Sequence, residues 1–196
     1  FQIAEGLNYL HNENILHRDL HSKNILIHEH NAKITDFGIS KIQNDPNTTV
    51  YKGNFGVTSY MEPKRLLDEN FLYTKSSDIY SFGVLMWEIS SGYPPFKESD
   101  NNVALACKIN DGVREDTIPD TPKEYEKLYK NCWNQEPEQR PIISEILDEF
   151  EKMGFGINIR NESIKDNENL TSELQISTEP QLSDLCTVTR CSEPDQ

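Results

Sequence analysis

Two carboxylates and a carboxamide within eighteen residues are the part of this sequence best suited to chemistry: Asp19, Asn24 and Asp36. They stand in the polar run His17-Arg18-Asp19-Leu20-His21-Ser22-Lys23-Asn24 and in the triplet Asp36-Phe37-Gly38. A carboxylate held against a hydroxyl can take its proton, and carboxylate and carboxamide oxygens are donors that a hard cation such as magnesium accepts. One Asp in a loop is more often a turn former than a base, so each fragment alone says little. Seven specified positions (His17, Arg18, Asp19, Asn24, Asp36, Phe37 and Gly38) fall in one short window. At roughly one in twenty per position, chance produces such a set on the order of once in 10⁹.

Together these residues resemble the catalytic-loop and metal-loop signatures of the protein kinase family, and the resemblance covers about residues 1–153. The run SSDIYSFGVLMWEISSG is similar to the family's central helix, and YPPF follows it. The later CWNQEPEQRP, with Cys132-Trp133 and Arg140-Pro141, is similar to the ending found in tyrosine kinases and tyrosine-kinase-like kinases. The HRDLHSKN loop resembles those of expanded fungal tyrosine-kinase-like families.

This resemblance implies transfer of the γ-phosphate of ATP to a protein hydroxyl, with ATP and Mg2+ as cofactors. Asp19 then accepts the hydroxyl proton, while Asn24 and Asp36 supply magnesium ligands on the nucleotide phosphates. Asp78 holds the catalytic loop by accepting its backbone N–H groups, His17 and Phe37 pack, and Gly38 lets the chain turn. Trp133 packs and Arg140 anchors. The expected acceptor is Ser or Thr, with tyrosine the nearest variant. Two other readings stand beside it: a pseudokinase or scaffold that uses the lobe for binding, and an inactive kinase fragment.

Departures from the family pattern carry their own expectations. Many serine/threonine kinases place a Lys two residues after the catalytic Asp, paired with a Thr in the substrate-site loop; here the positions hold His21 and Val57. Lys23 either supplies the displaced positive charge beside the phosphate, as a point charge, or is a solvated loop lysine. Ala-Pro-Glu, which usually closes the activation segment, is replaced by Glu62-Pro63-Lys64. Lys64 would face Arg140 where the family has an acid, and like charges repel. Arg140 is therefore expected to pair with Glu62, Glu136 or Glu138, Glu62 being favoured, while Lys64 points to solvent. Arg18 could pair with a phosphate on Thr48, Thr49 or Tyr51 and order the loop they occupy. No Gly-rich loop, strand lysine or partner-helix glutamate is found upstream of these motifs, so the N-terminal, ATP-gripping lobe is read as absent and residues 1–196 as inactive alone.

The elements that must position these residues follow from periodicity. Phe1, Ile3, Ala4, Leu7 and Leu10 line one face of a helix ending near His11. Ile25–Ile27 and Lys33–Thr35 read as a hairpin around the turn His28-Glu29-His30-Asn31. A loop of about twenty-five residues follows Gly38, long enough to be functional. Ser77 and Asp78 stand as N-capping residues before a helix whose apolar residues ring it, as in a buried central helix. Gly92 and Pro94-Pro95 end it, and shorter helices are expected at Asn101–Asn110, Pro122–Asn134 and Ile142–Lys152. The fold class is mainly α: a kinase-like C-terminal lobe over 1–153 with a small β-hairpin.

Residues 154–196 are read as a disordered acidic tail, since 157–196 hold eight acids against three bases and few large apolar groups. The partners of this tail are not legible. A net charge of −14 argues against binding phosphate backbones or anionic lipid, so neither nucleic acid nor membrane is an expected partner. Cys107, Cys132, Cys186 and Cys191 form no disulfide framework or zinc spacing. No apolar run reaches the roughly 18 residues of a membrane helix, and the sequence leads to a reducing, cytoplasmic setting.

Overall fold

Helix α1 (Gln2–Asn12) buries Ile3, Ala4, Leu7 and Leu10, the face that the apolar spacing marks out. The structure, a computed structural model, describes residues 1–43, 57–68 and 70–156. Strand β1 (Ile15–Leu16) leads into the polar run, which ends in a 3-10 turn at Ser22–Asn24. Strands β2 (Ile25–His28) and β3 (Asn31–Ile34) pair antiparallel, Ile25 against Ile34 and His28 against Asn31. Glu29 and His30 close the hairpin with φ of 47° and 63°, the left-handed pair that a two-residue turn between right-twisted strands needs. The second strand thus starts two residues before the expected Lys33. Strand β4 (Lys41–Ile42) pairs back on β1, Ile15 against Ile42. Nothing in the sequence announced that pairing, because two residues are too few to show alternation.

The further α-helices among the described residues are α2 (Pro63–Leu67), α3 (Lys75–Ser91), α4 (Asn102–Asn110), α5 (Lys123–Cys132) and α6 (Ile143–Lys152), with α5 packed on α3, α2 on α4 and α6 on α1. In α3 every residue from Ser77 to Trp87 is buried, as its ring of apolar positions requires. Its start corrects the sequence reading. Thr74, not Ser77 or Asp78, is the N-cap, and Ser77 Oγ reaches back to accept the Thr74 N–H at 3.1 Å. Thr74 and Ser77 stand three apart, the spacing for such reciprocal capping, and this leaves Asp78 inside the first turn with its carboxylate free for another task. Gly83 lets α5 come close: a Cβ there would lie 2.7 Å from Cys132 Cβ and 2.9 Å from the Trp133 nitrogen. Gly92 ends α3 in the left-handed region, φ 75°. Phe150 of α6 meets Phe82 of α3 edge-on at 6.3 Å, closing the core on that side.

One buried ion pair ties the start of α2 to the turn before α6. Arg140 Nη1 donates to Glu62 Oε2, and Arg140 Nη2 donates to Glu62 Oε1 at 3.1 Å, with both side chains fully buried. The other guanidinium donors go to the carbonyls of Asn134 (2.8 Å), Ser76 (2.9 Å) and Gln135 (3.3 Å), so all five are used. Tyr80 of α3 offers its ring face to Arg140 and to Arg114, each 5.1 Å from the centroid. Lys64 does not simply extend into solvent as the sequence suggested: its Nζ lies 2.5 Å from Glu136 Oε2, in a partly exposed pair. Trp133 is buried against Tyr129, ring centroids 4.9 Å apart.

Glu62→Ala leaves the Arg140 charge buried without its counterion and is expected to cost about 3–5 kcal/mol in denaturant unfolding of the intact protein. Lys64→Ala should leave the unfolding midpoint nearly unchanged, because its partner is solvated. A larger loss for Lys64→Ala than for Glu62→Ala would assign the tether to the wrong residue.

Candidate active site

The start of the polar run, at His17 and Arg18, has no regular structure to satisfy its N–H groups, and Asp78 does so from the centre of the fold. Its Oδ2 accepts the His17 N–H and its Oδ1 the Arg18 N–H, each at 2.9 Å. Tyr73 Oη donates to Oδ1 at 3.0 Å, and His11 Nε2 lies 3.1 Å from Oδ2. Burial first, and then the Asp78 charge, push the Tyr73 hydroxyl well above its ordinary range, so it remains a donor. Arg18 is held with φ 73°, a left-handed conformation that a non-glycine residue keeps only when its surroundings impose it.

His17 is fully buried and its two ring nitrogens have distinct tasks. Nε2 lies 2.9 Å from the Thr35 carbonyl, and Nδ1 accepts the Asp19 N–H at 3.3 Å. These partners require the neutral Nε2–H tautomer, so His17 joins the catalytic loop to the strand end before Asp36. The Phe37 ring stands edge-on to His17 at 5.3 Å while 48% of the residue stays exposed.

Asn24 links the two halves of the site. Its Nδ2 donates to the Asp19 carbonyl at 2.8 Å and lies 3.4 Å from Asp19 Oδ2. Its own carbonyl accepts the Thr35 N–H at 2.9 Å and the Thr35 hydroxyl at 3.1 Å. With the amide nitrogen committed, Oδ1 of Asn24 is left as an oxygen donor. Asp36, with φ 61°, exposes its carboxylate, and Oδ1 accepts the Gly38 N–H at 3.2 Å. A Cβ at Gly38 would come within 3.1 Å of that oxygen, which is why glycine suits the turn. Among the described residues no group of three or more His, Cys, Asp or Glu side chains could hold a metal by itself. Two oxygen donors do fit magnesium, which takes a few protein oxygens and completes its shell with phosphate and water.

Asp19, Asn24, Asp36, His17 and Asp78 are thus joined through direct hydrogen bonds or short chain links. Lys23 is exposed on the turn beside them. Burial and the nearby Arg65 charge lower the Arg18 pKa. Thr48, Thr49 and Tyr51 lie outside the described residues. Trp133 and Arg140 belong to the helical core rather than to this face. Sequence reasoning passed over His11, Tyr73, Tyr60 and Glu88. His11 alone carried a signal, as a histidine in line with Ala4 and Leu7 on the buried face of α1.

The family model described as protein tyrosine and serine/threonine kinase matches residues 1–150. A probable serine/threonine-protein kinase of Dictyostelium discoideum is 38% identical over 148 residues, 74% of this chain and 16% of that protein. A dual specificity protein kinase of the same organism is 38% identical over 152 residues, 77% of this chain and 11% of that protein. A vascular endothelial growth factor receptor kdr-like protein of Danio rerio is 36% identical over 152 residues, 76% of this chain and 11% of that protein. The chain therefore spans 11–16% of the length of these curated relatives. Among the described residues no helix is long and apolar enough to cross a membrane.

Asp78→Asn replaces one doubly used oxygen by an amide that faces donors. With one or two buried donors left unmatched, it should destabilise the intact protein by about 2–5 kcal/mol, read as a lowered denaturant midpoint at constant m. An unchanged midpoint would show that Asp78 does not hold the loop.

Proposed function

The chain belongs to the protein tyrosine and serine/threonine kinase family, and from that premise we propose that the intact protein transfers the γ-phosphate of ATP to a serine or threonine hydroxyl of a protein substrate. The observation that carries this reading is the division of labour at Asn24, whose amide nitrogen is committed to Asp19 and whose oxygen is left for a metal. A scaffold has no physical use for that arrangement together with Asp36.

In this reading Asp19 orients the acceptor hydroxyl in line with the phosphorus and takes its proton as the new bond forms. Asn24 Oδ1 and the Asp36 carboxylate hold magnesium. Bound between them, magnesium would supply charge neutralisation to the nucleotide phosphates. Lys23, exposed on the turn four residues after Asp19, supplies a further positive charge toward the transferring phosphate. Asp78 and Asn24 keep Asp19 in position, which matters because phosphoryl transfer draws its rate from positioning and electrostatics rather than covalent chemistry. The serine/threonine relative at 38% identity supports that acceptor, and the dual specificity relative makes tyrosine the alternative.

Asp19→Asn and Asp36→Asn should each lower phosphate transfer by the intact protein about 10²-fold or more. Near-normal transfer by either variant at saturating ATP overturns that residue's role. Phosphoamino-acid analysis of the product decides between serine, threonine and tyrosine.

Residues 1–196 hold no Gly-rich phosphate loop followed by a strand lysine ahead of the catalytic loop. By themselves they should bind ATP-magnesium more weakly than about 1 μM and transfer nothing. Calorimetry giving micromolar or tighter binding would contradict this.

A further inference from the structure

We propose that His21 is a positioning residue for Asp19, and that it couples the carboxylate to the seat of Tyr60 on α3. The proposal rests on the kinase reading only for what Asp19 does. His21 is buried, 8% exposed, and its Nε2 lies 3.5 Å from Asp19 Oδ1. Its other nitrogen, Nδ1, is buried with no hydrogen-bond partner among the described residues. These two surroundings select one tautomer. With the proton on Nε2, an N–H faces the carboxylate and only a lone pair is left unpaired inside. With the proton on Nδ1, a lone pair would face the carboxylate and an N–H would be buried unpaired, which is the costlier loss. Of the two neutral tautomers, the one that presents an Nε2–H to Asp19 is therefore favoured.

Asn24 Nδ2 approaches the opposite oxygen, Asp19 Oδ2, at 3.4 Å. The carboxylate is thus bracketed from both sides, and its rotation is set by two separate groups. Both approaches are long for hydrogen bonds. Contacts of this kind in ligand-free sites commonly tighten in the substrate complex.

What keeps the His21 ring in place is Tyr60, whose ring lies against it with centroids 5.9 Å apart. Tyr60 is itself pinned to α3: its hydroxyl donates to Glu88 Oε2 at 2.5 Å, and its carbonyl accepts from Ser81 Oγ at 2.7 Å. Burial, then the Glu88 hydrogen bond, push the Tyr60 hydroxyl above its ordinary range and keep it a donor. Ser22, next to His21, donates to Glu88 Oε1 at 3.0 Å, so the same carboxylate holds the loop on both sides of the ring. A continuous set of contacts runs from Glu88 through Tyr60 and His21 to Asp19. When the chain around Tyr60 is unseated, the ring loses its backing and Asp19 loses one of its two supports.

The test uses the intact protein. His21→Leu, similar in bulk but without a donor, should lower kcat about 10- to 100-fold with KM for ATP unchanged. His21→Gln, whose Nε2 can reach the same point, should restore activity to within about fivefold of wild type. Tyr60→Phe should lower kcat in the wild-type background and have little further effect on His21→Leu, because both act through the ring. Nitrogen-15 NMR of histidine-labelled protein, with the signal assigned through His21→Gln, should show the Nε2–H tautomer and an Nε2 shift that moves in Asp19→Asn. Equal losses in the Leu and Gln variants, wild-type turnover in His21→Leu, or an Nδ1–H tautomer would each overturn the proposal. If the wild-type protein transfers no phosphate, the kinase reading falls, and the NMR signals still decide whether His21 donates to Asp19.

Discussion

A single buried carboxylate, Asp78, is the interaction on which the rest of this structure depends. It meets four donors, two from the backbone of the catalytic loop and two from the side chains of His11 and Tyr73. Four donors match the acceptor sites of an ionised carboxylate, so the cost of burying its charge is offset by a complete set of charge-assisted hydrogen bonds. Because Asp78 sits in the first buried turn of α3, the loop inherits the rigidity of the most enclosed helix. The left-handed backbone at Arg18 persists for the same reason: its N–H has been captured from the core side.

The second buried charge pair obeys the same logic with a different history in the chain. Where the family places an acid after proline, this chain has a lysine, and the carboxylate has moved two residues earlier to Glu62. The move is tolerated because Glu62 stands at the N-terminus of α2, where its Oε1 also meets the Lys64 N–H at 3.3 Å, and Arg140 still finds both carboxylate oxygens. Lys64 then turns outward to Glu136. Position 64 changed sign while position 62 gained an acid, and the buried site stayed neutral. That is the outcome electrostatics requires, since a Lys facing Arg140 in a dry site would have no compensation.

These two anchors leave the reacting groups on a face that is partly open. Asp36 and Lys23 are exposed and Asp19 is half-buried, so these side chains are open to solvent while the backbone beneath is held. His21, Tyr60 and Glu88 connect that face to α3 by a route separate from Asp78. The same helix thus supports the catalytic loop from one end and the chain around Tyr60 from the other.

Much of this was legible in the residues. The ring of apolar positions marked α3 as central, the spacing in α1 marked its buried face, and the seven-residue signature pointed to phosphate transfer, because these features are periodic or local and survive without a fold. The pairing of Arg140 with Glu62 rather than Lys64 also followed from sign alone. Other features needed the tertiary structure. The β1–β4 pairing and α2 are too short to leave a period. Thr74 as the cap could be told from Ser77 only once the first turn was seen. His11 and Tyr73 became partners of Asp78, and Tyr60 the backing of His21, through contacts between residues distant in the chain, for which one sequence carries no spacing. The sequence by itself determined which groups could do chemistry and which helix would be buried, since residue type and period decide those. Only the tertiary structure decided which donors each buried carboxylate would meet, because that depends on how separate elements pack around a charge that must be fully satisfied once water is gone.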